Sequence, residues 1–323
     1  MKWGLNMRYI IIFLIIVICL IILNKMYKKT NHYKNIEESV KIYTEGIPMG
    51  LEIVNTGSSY ARYALDYNYT SLKGVNFALQ PQSLSYDFRI LKQYTKHLKK
   101  QCIVLITLPD LVFGFVEYKG SQSNLKYYHF LKPEFIFNYS KLIHFLECNF
   151  PLLANSKNIF KIIKDAPKDG LLLSNSLTLE EVQIEAKARI NGWKKEFNIS
   201  NTEDSKFPVE VEDSFIKNRE IVSDMIKHCK ESGFIPVIFI PPTSSYLNEL
   251  ITDEFINKML YDNIKKANIL NIPVLDYLND ERFQKHELYI NSDFLNMTGR
   301  LKMTKIIIED LTNMGLIRGI ENE

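Results

Sequence analysis

Paired cysteines are the plainest lack in this sequence. Its four cysteines, Cys19, Cys102, Cys148 and Cys229, are widely scattered, with no CxxC pair, so neither a zinc site nor a disulfide framework is indicated. The six histidines form no paired motif, and no cofactor or metal is expected. Charge of one sign is lacking too. Forty Lys+Arg against 37 Asp+Glu leaves a formal charge of +3, with no basic stripe interleaved with aromatics, which argues against nucleic acid as a partner. No internal repeat is visible. With 323 residues, 46% hydrophobic and 24% charged, the composition is that of a folded chain with room for one large domain or two small ones.

The strongest local signal is RYIIIFLIIVICLIILNKMYKK. Fifteen apolar residues run from Tyr9 to Leu23 without a charge, bounded by Arg8 and Lys25, with Trp3 and Tyr27 placed as interfacial aromatics. The run is short for a span, but flanking cations can snorkel and the bilayer can thin. A cleaved signal peptide needs a small-x-small site, and Ile, Ile, Leu, Asn, Lys follow Leu20 instead. A lipoprotein signal fails because Ile18 precedes Cys19. The expectation is an uncleaved membrane anchor over residues 1–29, followed by a polar stalk over 30–46. Cations flank both ends, so charge alone does not orient it.

From residue 47 onward, apolar runs alternate with amphipathic segments. Leu51–Asn55, Gly74–Leu79, Cys102–Leu108, Ile235–Ile240 and Ile272–Tyr277 each read as a strand buried on both faces. Leu84, Phe88, Leu91 and Leu98 share a helical face, as do Met225, Ile226 and Cys229, and then Met303, Ile307, Leu311 and Met314. Alternating strands and helices predict an α/β domain, a three-layer sandwich with a short parallel sheet. A mainly helical insertion over about 118–212, with loops near Pro133, Pro151 and Pro167, interrupts it. Ligands of such sheets bind beyond the carboxyl ends of the strands, where the polar turns TGSSY, QPQS, PDLVFG, PPTSSY and NSDF follow.

In this order and strand context, NTGSSYARYALD, NFALQPQSLSYDFRIL, IPVIFIPPTSSY and YINSDFLNMTGRLKMTKII resemble the SGNH/GDSL hydrolase-like family. The likeness is to its membrane-anchored branch, which includes teichoic-acid D-alanyl transfer and alginate O-acetylation proteins. It covers residues 50–315 or so, apart from the insertion. The resemblance makes Ser59 the nucleophile, and a serine at a strand-to-helix turn suits that role because the helix amino terminus favours a developing anion. A serine there is equally suited to cap the helix. Ala78 stands where the family has a glycine oxyanion donor and keeps the N–H. Asp110, after Pro109, stands where the family has an asparagine, and a carboxylate there would repel an oxyanion.

The last block departs furthest. Laid on the family's Asp-x-x-His pattern, Asn291 takes the aspartate position and Phe294 the histidine position, while Leu295, Asn296 and Gly299 fit. A positioned base contributes ~10²- to 10⁴-fold to such a reaction, and phenylalanine accepts no proton. Asp293 and His286 are the alternative bases. Their ordinary roles are a surface or helix-capping carboxylate and a solvated imidazole. Ser244, Ser245 and Tyr246 after the fourth strand either cap the next helix or line the pocket, capping being the default.

Three functions are compatible with these residues. The first is a catalytically degenerate protein that binds a cell-surface glycan, such as a teichoic-acid-like polymer, or a multispanning membrane acyltransferase. The second is an active esterase or O-acyltransferase using Ser59 with a non-standard base. The third is a structural or assembly anchor. The resemblance implies a single-pass protein of a bacterial cytoplasmic membrane with its soluble domain outside.

Overall fold

A computed structural model describes residues 2–117, 122–165, 177–201 and 207–317. Tyr118, the Pro167 loop and the side chain of Trp3 lie outside the described residues. In chain order the elements begin with helices α1 (Lys2–Lys28) and α2 (Asn31–Glu45), then β1 (Leu51–Asn55), α3 (Ser59–Ala64) and β2 (Gly74–Asn76). Helix α4 (Leu84–Tyr94), β3 (Leu98–Thr107), α5 (Lys141–Asn149), α6 (Pro151–Ala154) and α7 (Ile159–Ile163) follow. Next come α8 (Leu179–Glu196), α9 (Val209–Glu231), β4 (Ile235–Ile240), α10 (Ser245–Asn248) and α11 (Asp253–Ile256). Helix α12 (Asp262–Ala267), β5 (Val274–Asp276) and α13 (Met297–Asn313) complete the chain. The molecule divides into two compact units, residues 1–46 with 119–170, and residues 47–118 with 171–323.

In the first unit, Met7–Lys28 of α1 is long and apolar enough to cross a membrane, and only 6% of its most apolar window is buried inside the protein. A core helix would be covered. The segment expected to be a polar stalk is helix α2, capped by the Thr30 hydroxyl and by Asp165, which accepts from Asn31 N and His32 N. Tyr27, Tyr33 and Leu152 form a small core with Leu23 and Ile162.

The second unit is built on a five-stranded sheet, parallel throughout, in the order β2-β1-β3-β4-β5. Ile53, Ile103, Leu105, Val237 and Phe239 pack with Ala64 and Leu65 at the end of α3 and with Met303, Ile307 and Leu311 of α13. Helix α9 runs against β3 and β4 and packs with α4 and α12. The three central strands are buried as their apolar runs imply, but the edges differ. In β5, Val274 and Asp276 are exposed, and β2 is three residues long with only Val75 fully buried. An apolar run at a sheet edge has a covering neighbour on one side only. Leu98 begins β3 rather than extending α4, and Met314 is an exposed C-cap.

Helix α13 is positioned by the very residues that fit the family block. Leu295 is a core residue, Asn296 is the N-cap whose side chain accepts from Gly299 N at 3.0 Å, and its amide donates to Glu287 O at 2.7 Å. At Gly299 a Cβ would lie 2.3 Å from the Leu288 carbonyl oxygen. Two Gly→Ala substitutions should therefore have opposite signs. Gly299→Ala, forced against backbone, should destabilise by about 1–3 kcal/mol. Gly192→Ala, in α8 with open space around it, should stabilise by about 0.5–1 kcal/mol through helix propensity. Thermal unfolding of the full chain in detergent micelles checks both.

Candidate functional site

Because the strands are parallel, their carboxyl ends open onto one edge, and β1 and β3 are the neighbours at which the strand order reverses. The turn after β1 holds Gly57, Ser58 and Ser59. Gly57 adopts φ +131, and a Cβ there would meet Ala61 and Thr107, so glycine is required. Its N–H donates to Asp87 Oδ1 at 2.7 Å, and its carbonyl accepts from Gln82, which also donates to Asp87. A buried carboxyl on α4 thus ties the turns after β1 and β2. Burial pushes the Asp87 pKa up to about 7 despite those two bonds.

Ser58 is the N-cap of α3 but makes no side-chain capping bond. Ser59, the first helical residue, is half-buried, and among the described residues no hydrogen bond reaches its hydroxyl. The residue after it, Tyr60, donates to Asp293 Oδ2 at 3.2 Å. Asp293 is 2% exposed and ion-paired to Arg189 of α8 at 2.9 Å, so the expected surface or capping carboxylate is in fact a buried partner of a cation 104 residues away. Glu185, one turn before Arg189 and 3.5 Å from it, accepts from Ser292 N at 2.7 Å. Two side chains of one helix thereby grip the NSDF turn.

Within that turn, Asn291 Oδ1 accepts from Phe294 N at 2.7 Å and Asp293 N at 3.2 Å. It shapes the backbone and turns Phe294 toward α3. The Phe294 ring stacks on Tyr63, 5.2 Å between centroids and 9° between planes, and meets Tyr60 edge-on at 5.1 Å. The Arg189 guanidinium lies 5.7 Å from the same ring. Two aromatic residues of the helix that Ser59 opens therefore enclose the phenyl group.

The other expected residues are placed elsewhere. Ala78 donates its N–H to Asn76 Oδ1 at 3.0 Å, so that donor is already engaged. His286 is half-buried beside Glu287, 3.4 Å away, and its ring faces Tyr246. Among the described residues, the imidazoles of His97, His129, His144 and His228 bond to Ile47 O, Glu147, Tyr139 and Thr95, that of His32 lies beside Tyr27, and none bonds to Ser59. Ser244 precedes α10 without a side-chain capping bond, contrary to the capping expectation. Its N–H donates to Ser292 O.

Asp110, beyond β3, is 1% exposed. Its Oδ1 accepts from Leu111 N at 2.9 Å, while Oδ2 has no hydrogen-bond partner among the described residues. Burial, and then the nearby Asp293 carboxylate, push its pKa up to about 7, against the pull of Leu111 N–H, the Tyr60 phenol and Arg189. Asp293 is pushed up to about 6 by burial, which outweighs Arg189. Burial likewise raises the Tyr60 phenol, reinforced by both carboxylates. Asp110 Oδ2 is one of six buried polar atoms at this edge without a partner among the described residues. The others are Thr56 Oγ1, Thr107 Oγ1, Arg189 Nε, Ser244 Oγ and Ser292 Oγ. Each such group costs on the order of 1 kcal/mol or more unless water or a ligand reaches it, and this edge is therefore the candidate site. Arg189, Glu185, Tyr60 and Asp87 were missed from the sequence. Only Asp87 left a signal there, as an ionisable residue three after Leu84 and next to Phe88 on an apolar helical face.

A carboxyl whose pKa is higher folded than unfolded contributes stability that is complete below its unfolded pKa and is lost as pH rises through the folded one. For Asp110 that window runs from about pH 4 to just above its folded value of about 7. Asp110→Asn, which keeps the shape of the protonated acid, should therefore raise stability at pH 8 by on the order of 2 kcal/mol and flatten the decline between pH 5 and 8. Denaturant titrations at both pH values measure this. Compared with known proteins, the chain matches no family model, and no curated sequence matches it as a relative.

Proposed function

We propose that this is a membrane-anchored SGNH-like protein whose cleft binds rather than hydrolyses. In this reading it assists acylation of a cell-surface polysaccharide by holding the glycan or a membrane acyltransferase. The observation that carries the proposal is the site around Phe294. The rings of Tyr60, Tyr63 and Phe294 pack together on the helix that Ser59 opens, the turn that carries Phe294 holds the buried Asp293–Arg189 pair, and no imidazole bonds to Ser59 among the described residues. Aromatic rings offer sugars an apolar face, and hydroxyl-rich surroundings offer hydrogen bonds, which suits glycan binding.

The strand order and the packing of α3 and α13 on one set of sheet residues, with α4 and α9 associated elsewhere, support a three-layer SGNH-like architecture. The apolar span of α1 supports a single-pass arrangement; that the larger unit lies outside a bacterial cytoplasmic membrane is part of the proposal and comes from the family resemblance alone. The free Ser59 hydroxyl at the start of α3 favours a second reading, an active esterase or acyltransferase with a non-standard base.

The full chain in detergent micelles distinguishes the two readings through a fluorophosphonate probe, an acetyl ester and titration with purified surface polymers. The binding reading expects no Ser59-dependent labelling or hydrolysis. It expects affinity for one polymer to fall about tenfold in Phe294→Leu, the worth of one aromatic contact. Hydrolysis abolished by Ser59→Ala would establish the second reading instead.

A further inference from the structure

The first unit carries an apolar surface that its own core does not use. Helices α5 to α7 expose Leu142, Phe145, Leu153, Ile159, Phe160 and Ile163 to solvent, with Leu142 65%, Phe160 66% and Ile163 84% accessible. These residues are no part of the Tyr27, Tyr33 and Leu152 core, against which Ile162 of α7 packs. Six large apolar side chains within 22 residues of sequence are more than scattered exposure.

Their position is fixed by α1. Asn24, immediately after the fifteen-residue apolar run, is buried and donates to Asn149 O at 3.2 Å while accepting from Leu152 N at 3.2 Å. Helices α6 and α7 both contact α1. The helices that carry the exposed apolar residues are thus tied to the carboxyl end of the apolar span. Around it stand Lys141, Lys157, Lys161 and Lys164, all exposed. Of the two acids in 141–165, Glu147 is buried beside His129, and Asp165 caps α2.

The length of α1 supplies the reason for such a surface. The uncharged apolar run of fifteen residues extends about 22 Å within the longer Met7–Lys28 span, so the ends of that span bring polar and charged residues into a hydrocarbon core of about 30 Å. Apolar side chains set beside the end of the span, and ringed by lysines, provide the missing contact with acyl chains and suit anionic headgroups. We propose that α5 to α7 form a membrane-seated collar around the carboxyl end of α1, with the apolar residues in the interface of an anionic bilayer. The inference rests on the reading of α1 as a membrane span.

The test uses the full chain in vesicles of phosphatidylcholine and phosphatidylglycerol, with an environment-sensitive fluorophore at single cysteines. Native Cys19, exposed on α1, reports the span, in a Cys148→Ser background. Phe160→Cys and, independently, Ile163→Cys report the collar, in a background with Cys19→Ser and Cys148→Ser; Cys102 and Cys229 are buried. The collar expects blue-shifted emission, quenching by brominated lipid and protection from iodide at both positions. It also expects a smaller shift in Lys157→Gln/Lys161→Gln/Lys164→Gln, with the loss confined to anionic vesicles. Water-like emission at 160 and 163 with Cys19 in lipid would overturn the collar and leave the span standing. Water-like emission at all three positions would overturn the span and the collar with it. Aqueous labels that crosslink to a second protein in native membranes would overturn the lipid assignment in favour of a protein contact.

Discussion

The arrangement at the sheet edge depends on how Asp293 is kept charged out of water. A carboxylate with almost no solvent access holds its charge only beside a cation and with its oxygens hydrogen-bonded, and Arg189 and Tyr60 supply these. That need decides which way the NSDF turn faces. With Asp293 directed at α8 and Tyr60, and Asn291 occupied by two backbone N–H groups, Phe294 is left to point at α3. The ring fills the space beside the first serine-bearing helix because the charge pair and the turn leave it no alternative.

This ion pair also explains the part of helix α8 in the unit. Val182, Ala186, Ile190 and Trp193 bury one stripe, and Glu185 and Arg189 flank that stripe at helical spacing, where they reach the turn together. A segment that looks in sequence like an interruption of the α/β rhythm thus contributes two charged residues to the carboxyl edge of the sheet.

What could be read beforehand followed from local pattern. The apolar run of α1 and the unbroken runs of β3 and β4 declare themselves through continuous hydrophobicity, and the Met225, Ile226 and Cys229 face of α9 through helical spacing. Leu98 was misplaced because one leucine fits a helical face and a strand start equally well. β5 was over-buried because a sequence does not say which strand lies at the edge. Asp293 and Asp110 could be named but not interpreted, since their environments come from Arg189 and from each other, far away in the chain. Tyr60 follows Ser59 in the TGSSY turn, but nothing in the sequence tied its phenol to Asp293, 233 residues away. Pairing across a fold leaves no periodic trace.

The brevity of the apolar run in α1 has a consequence for where the protein resides within a membrane. A longer hydrophobic helix adapts to bilayer thickness by leaning, whereas a fifteen-residue run has no surplus length to absorb. Read as a membrane span, such a run would match a thinner bilayer better than a thicker one, so local acyl-chain composition would bear on its lateral distribution.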